Sequence, residues 1–296
     1  MAGSDPFERD HRPPVGVPEP LAPGLRVVTA PNPGPMTFTG TRSYVVGEGE
    51  VAVIDPGPDD PAHRAALVAA LAGERVAAVL VTHAHRDHSA GARAFAVAVG
   101  APVLARGPVP VAPVPAFAGG GGEGRDAGFR PDRAIAEGAR VTGPGWTLVA
   151  LETPGHAADH LAFAWEEGGA LFSGDHVMGW ATTLISPPDG SLAAFRASLA
   201  RLEGRAESVY YPGHGAPVRD PGRLVRHILA HRAAREAQIV AALGRGPATP
   251  EQLVAALYAD VDPRLHAAAR RNMVAHLIDL AERNLVSVED GRFRFA

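Results

Sequence analysis

The chain has 296 residues, 46% of them apolar and 20% charged, a formal net charge of −4 and no cysteine. That length holds one large domain and a small one, the composition is that of an ordinary globular protein, and the mild acidity gives no global attraction to nucleic acid or an anionic membrane surface. Without cysteine there are no disulfides and no thiolate ligands, so a bound metal must be held by nitrogen and oxygen. No run of about 18 apolar residues is present to span a bilayer. Met1 to Leu25 mixes Pro, Gly, Asp, Glu and Arg without the apolar centre of a secretory signal, so the expectation is a cytoplasmic protein with no membrane partner. All 28 basic residues are arginine, which reads as coding bias.

In chain order, residues 1–22 read as a Pro-rich disordered tail. Short strands are expected at Leu25 to Ala30, Ser43 to Gly47 and Val51 to Ile54, the last closed by Asp55-Pro56-Gly57-Pro58 as a turn. Leu67, Val68 and Leu71 place a helix over Pro61 to Ala72, and Val76 to Val81 is the next strand. It runs into Thr82-His83-Ala84-His85-Arg86-Asp87-His88-Ser89-Ala90-Gly91, four imidazole or carboxylate groups within six positions. Neutral His and ionised Asp this dense behind a buried strand are costly to keep unless something binds them, so the stretch reads as a metal site. Strand, helix, strand, then a polar motif at the strand's C-terminal end is α/β architecture.

A helix follows over Ala90 to Val99 and a strand over Pro102 to Ala105; residues 109–132, with Gly119 to Gly122, read as a long loop, a flap or disorder. Order returns with strands at Trp146 to Leu151, Leu161 to Trp165, Ala170 to Ser173 and Ser208 to Tyr211. Three of the four are followed by Pro154-Gly155-His156, Gly174-Asp175-His176 and Gly213-His214-Gly215. Metal-capable residues beside glycine after successive strands are what a site shared along one sheet edge leaves in a sequence.

Thr82 to His88, Pro154-Gly155-His156, Gly174-Asp175 and Gly213-His214, in this order, resemble the motifs of the metallo-β-lactamase superfamily, and the likeness covers roughly Gly24 to Pro217. It implies an α/β fold, an αββα sandwich with the site along one edge, over residues 23–222. It also implies His83, His85 and His156 on a first metal, Asp87, His88 and His214 on a second, and Asp175 bridging both. Two zinc ions are the expected cofactors, with iron or manganese as alternatives. Three imidazoles on one zinc leave a position for water, whose pKa falls from about 15.7 toward about 7. The hydroxide bridging the ions would be the nucleophile, with Asp87 relaying its proton. His160, four residues past His156, is the second candidate catalytic residue, either bonding a ligand's free ring nitrogen or sitting over the substrate. His176 is expected to point away from the site, and His63, His227, His231, His266 and His276 to be surface or packing histidines.

Asn32-Pro33-Gly34-Pro35-Met36-Thr37, Tyr44-Val45-Val46-Gly47, Asp175-His176-Val177-Met178-Gly179 and Pro187-Pro188-Asp189-Gly190-Ser191 resemble the lactamase-β-2-like family more narrowly. Arg42 stands where that family carries Asn, which would alter a substrate-facing loop. Residues 223–296 form a second unit resembling a winged helix. Its helices run over Arg223 to Leu243, from a capping box at Thr249-Pro250-Glu251-Gln252, and over Pro263 to Arg283, before a hairpin turning at Asp290-Gly291. With 11 arginines against 8 acids it has a weak electrostatic case for DNA, and packing, homodimer contacts or a substrate rim are favoured.

The expectation is a dinuclear zinc hydrolase of an ester, thioester or related acyl bond. The best-known zinc β-lactamases carry Cys where this chain has Asp175, which argues against lactams. The resemblance keeps an alternative, a metal-dependent endoribonuclease acting on single-stranded RNA; the net charge tips the balance toward a small acyl substrate. An iron oxygenase of the same fold and a DNA-binding regulator with a metal-site sensor domain are the further alternatives.

Overall fold

The computed structural model describes residues 5–111, 113 and 124–296; Gly119 to Gly122, the centre of the expected long loop, lie outside them. Seven strands form the first sheet in chain order: β1 (Pro18–Ala22), β2 (Leu25–Thr29), β3 (Arg42–Glu48), β4 (Glu50–Ile54), β5 (Arg75–Leu80), β6 (Val103–Ala105) and β7 (Arg133–Ala134). The first four pair antiparallel, β1 with β2 and β3 with β4 through tight turns and β2 with β3 through the loop of residues 30–41, and β4 to β7 pair parallel. Parallel pairing needs crossovers, here α1 (Pro61–Leu71) between β4 and β5, and α2 (Arg86–Ser89) with α3 (Ala92–Val99) between β5 and β6. The second sheet holds β8 (Arg140–Gly143), β9 (Trp146–Glu152), β10 (Leu161–Trp165), β11 (Ala170–Gly174) and β12 (Val209–Pro212), with α4 (Leu192–Leu202) crossing from β11 to its parallel neighbour β12.

Alternation decides what fills each layer. Val27, Tyr44, Val46, Ile54 and Leu80 of the first sheet face Leu148, Phe163, Phe172 and Tyr211 of the second in the central core. On the opposite face of the first sheet, Val45, Val53, Val79 and Val81 pack on Leu67, Leu71 and Phe95 of α1 and α3. The outer face of the second sheet packs on Phe195 and Leu199 of α4 and on Leu224, Val225 and Ile228 of α5 (Pro221–Leu243). Helix, sheet, sheet, helix is the expected αββα order. The sheets approach closely at Gly47, where a Cβ would lie 2.4 Å from the indole of Trp146, whose Nε1 donates to Glu50 O.

The C-terminal unit adds α6 (Pro250–Leu257), α7 (His266–Glu282) and the hairpin β13 (Val286–Glu289) and β14 (Arg292–Phe295) around Met273, Leu277, Leu280 and Phe293, the winged-helix arrangement expected. Thr249 and Gln252 cap α6 reciprocally. Ile239 and Leu243 at the far end of α5 belong to this core while its first half belongs to the sandwich, so the boundary expected at residue 223 falls at the head of a helix serving both.

The tail corrects the sequence reading. Residues 5–22 are placed, not loose: β1 pairs with β2, Glu8 N–H donates to Gly179 O and Phe7 packs edge-on to His227 of α5. Pro18 and Pro20 lack ladder donors, but an edge strand bonds on one side only, so their presence hides a strand without forbidding it. Among the described residues no helix is long and apolar enough to cross a membrane.

Candidate metal centre

The ends of β5, β9, β11 and β12 meet at one edge of the sandwich. Leu161 N–H donates to Thr82 O across the two sheets at that edge, and Gly213 N–H donates to Gly174 O between the ends of β11 and β12. The loops leaving these strands therefore share one small volume. It receives His83, His85, Asp87 and His88 from the first sheet's side, and His156, Asp175 and His214 from the second's. Potential ligand atoms lie within 4.8 Å of one another in three overlapping groups: His83, His85 and His156; His83, His88 and Asp175; and Asp87, His88 and His214. All seven residues expected as ligands are thus gathered, and His83, His88 and Asp175 supply a group that joins the other two.

Each imidazole is oriented by its outer nitrogen. His83 Nδ1 lies 3.0 Å from Thr82 Oγ1, which itself donates to Asp55 Oδ2. His88 Nδ1 is 2.8 Å from Asp55 Oδ2, His156 Nδ1 2.8 Å from Leu184 O, His214 Nδ1 3.3 Å from Gly40 O and His85 Nε2 3.3 Å from Asp189 Oδ2. An acceptor on the outer nitrogen fixes the N–H there and turns the other nitrogen's lone pair inward. His83 Nε2 and Asp175 Oδ1 are buried without a hydrogen-bond partner, the latter 3.5 Å from His88 Nε2. A ring of inward lone pairs with two orphaned buried atoms fits a metal and leaves a polar defect without one.

Burial and neighbouring charge divide the site electrostatically. Burial, reinforced by the imidazoles beside it, holds His83 well below the ordinary imidazole value and His156 at about 4, so both are neutral and ready to ligate. Burial opposes charge on His88 and His214 too, but carboxylates outweigh it. Asp87, Asp175 and Asp55 raise His88 well above its usual value, and Asp175 and Asp87 raise His214 to about 9. Those imidazoles in turn hold Asp87 and Asp175 below the carboxylate range against their burial. The structure thus collects negative carboxylate charge that cations neutralise.

Two glycines beside ligands are required by contact. At Gly213 a Cβ would lie 2.5 Å from Asp175 Oδ1 and 2.6 Å from His88 Cε1, and at Gly174, with φ of 49°, it would lie 2.6 Å from His160 Nε2.

His160 is not where a substrate-contacting residue must be. It is buried, its Nδ1 is 2.8 Å from Thr153 Oγ1, and its Nε2 accepts the backbone N–H of Asp175 at 3.2 Å. Both nitrogens are used, so it neither faces substrate nor bonds a ligand's ring; it holds the backbone of Asp175. Asp87, the other catalytic candidate, has its side chain 27% exposed at the cleft, with Oδ2 3.1 Å from His214 Nε2. His176 is buried beside the ring of Phe195 and takes no part in the ligand groups. His63, expected as surface or packing, is buried with Nε2 2.9 Å from Ser43 Oγ. Arg42, expected to alter a substrate-facing loop, is buried with Nη1 donating to Thr29 Oγ1 near Glu19 and is not among the residues lining the cleft.

Asp55, Asp189 and the Thr183 to Ile185 segment were absent from the expected site. Asp55 accepts from Thr82 N–H, Thr82 O–H and the outer nitrogen of His88. Asp189 accepts from Arg125 Nη1 and Ala158 N–H besides facing His85. Its signal, Pro187 to Ser191, was visible as a motif without a role. The open face is a cleft of about 140 Å³ lined by Met36, His85, Asp87, Asp175, Met178 and Arg271 among others.

A family model described as the metallo-beta-lactamase superfamily matches residues 36–214, and one described as a beta-lactamase associated winged helix domain matches residues 249–294. An atrochrysone carboxyl ACP thioesterase of Aspergillus fumigatus is 31% identical over 274 residues, 83% of this chain and 78% of its own. A thioesterase of Emericella nidulans is 34% identical over 219 residues, 72% of this chain and 56% of its own. A beta-lactamase domain protein from Burkholderia ambifaria has the same fold, with a TM-score of 0.78 at 23% identity over 97% of this chain and 96% of that one.

Proposed function

Because the chain belongs to the metallo-β-lactamase superfamily of metal-dependent hydrolases, we propose that it is a two-zinc hydrolase whose substrate is an acyl thioester. The observation that carries the metal half is the common inward turn of five imidazoles around the orphaned His83 Nε2 and Asp175 Oδ1. The acyl half is supported by relatives named as thioesterases.

His83, His85 and His156 would hold one ion, Asp87, His88 and His214 the other, with Asp175 between them. Bound there, the ions would lower the pKa of water and polarise the acyl oxygen. The chain's own work is orientation and proton handling. Asp55, Asp189 and the Leu184 carbonyl keep inner lone pairs free, and Asp87, partly exposed at the cleft, is the carboxylate placed to accept a proton from the attacking water. Hydrolysis joins the water oxygen to the acyl carbon and breaks the carbon–sulfur bond, and the thiolate leaves with a proton, giving an acid and a thiol. Arg271 at the cleft favours one second reading, cleavage of the phosphodiester of single-stranded RNA.

The test is a panel on zinc-loaded protein with acyl thioesters, single-stranded RNA and a chromogenic lactam, with oxygen uptake followed on iron-loaded protein. Thioester turnover that vanishes with chelator is expected. RNA cleavage without it would install the second reading, and oxygen uptake alone the oxygenase. Asp175→Ala should lose metal and more activity than the roughly 10–100-fold that removal of an outer partner costs; undiminished two-metal content would sink the bridging role.

A further inference from the structure

A second and larger cavity, about 610 Å³, opens beside the metal-site cleft. One wall is Pro154, Pro188 and Leu192 at the head of α4; the other is Ile278 and Ala281 of α7, so the cavity lies between the sandwich and the C-terminal unit. Asp189 lines both this cavity and the metal-site cleft, so the two adjoin at that residue.

We propose that this cavity is the binding site for the acyl body of the substrate, a ring-bearing or long-chain apolar group whose thioester carbon reaches the metal centre past Asp189. The inference rests on the thioesterase reading above and names the substrate class it serves. The volume is that of a site for a drug-sized ligand, and its walls are mostly Pro, Gly, Ala, Leu and Ile.

Charge separates this occupant from a nucleic acid. The described residues lining the cavity include no arginine or histidine, and their charged members are the acids Asp189, Asp279 and Glu282. A phosphodiester chain would find no cationic side chain among them to neutralise its phosphates. Asp189 is engaged by Arg125, and Asp279 by Arg196 and Arg283. An apolar guest therefore enters without stranding those two carboxylates. Small side chains at Ala194 and Ala281 leave the space open, so bulk added on either wall should close it.

The experiment compares 2-naphthoyl and acetyl thioesters of N-acetylcysteamine on zinc-loaded wild type, Ile278→Trp and Ala194→Trp, one variant from each wall. It also measures binding of the neutral probe 2-acetylnaphthalene by calorimetry, with metal content and melting temperature read on the same samples. The expected result is a wild-type kcat/KM favouring the naphthoyl ester by at least about tenfold. In both variants that ratio falls by at least about tenfold and probe affinity falls with it, metal content being retained. Unaltered selectivity and unaltered probe binding in two folded variants would overturn the assignment. Should wild type hydrolyse neither ester, the thioesterase reading falls by itself, and probe binding decides the cavity: loss in both variants upholds an apolar site, equal binding removes it.

Discussion

Asp55 shows why some site residues are hidden from sequence. Ile54-Asp55-Pro56-Gly57 reads as a strand closed by a turn, and Asp55 does adopt a turn-like φ of 51°. Its carboxylate nevertheless accepts three hydrogen bonds from Thr82 and His88, because β4 and β5 are parallel neighbours ending at the same edge. That neighbourhood is a property of sheet order, which no local pattern records. The ligands themselves were legible because they are dense in one place and repeat beside glycine at later strand ends. His160 was misplaced because spacing gives its distance from His156 but not the direction of its ring. Asp55→Ala would leave the outer nitrogen of His88 and two donors of Thr82 unpaired in a buried place. We expect the affinity for the more weakly held ion to fall by about 10–100-fold, read by competition with a chromogenic chelator. Unchanged affinities for both ions would remove Asp55 from the metal centre.

Helix α7 lies within a few residues of the helix expected over Pro263 to Arg283, yet the face it turns to the sandwich carries a histidine that the sequence leaves as surface or packing. His276 is fully buried there with both ring nitrogens unpartnered, facing Arg232, Arg235 and His231 of α5 and Arg196 of α4. Burial first, then those arginines, lower its pKa to about 3. The folded state thus refuses a proton that the unfolded state takes up below about pH 6.5, so the unfolded state binds more protons and stability falls with acidity. The loss begins as pH drops below the unfolded value and grows until the folded value is reached. At pH 5 this one group costs about 2 kcal/mol relative to pH 7.5. His276→Leu, close in volume and without polar atoms, should shrink the difference in urea-unfolding free energy between those pH values by about that amount. An identical pH dependence in the variant would show that His276 titrates normally.

Across the whole molecule, the C-terminal unit is tied to the chemistry by a chain of hydrogen bonds between separate cores. Asn272 of α7 accepts from Ile185 N–H and from Arg232 of α5, and the Arg232 guanidinium donates to Thr183 O. Between those anchors, the carbonyl of Leu184 holds the outer nitrogen of His156, and Thr183 Oγ1 donates to Asp175 O. Arg232 is nearly fully buried, and burial lowers its pKa to about 10, a cost that its partners in this segment offset. The sequence shows two units; it cannot show that α5 serves both, or that a loop of the first is pinned by side chains of the second, since Ile185 and Asn272 are 87 positions apart. If that pinning orients His156, Asn272→Ala should weaken the ion held by His83, His85 and His156 by about tenfold, while the ion at Asp87, His88 and His214 binds as before. Cobalt loading, whose absorption distinguishes the two environments, reads the sites separately. Equal weakening of both ions would indicate a general loosening of the sandwich, and no weakening would mean that the C-terminal unit contributes walls to the cavity but nothing to the metal centre.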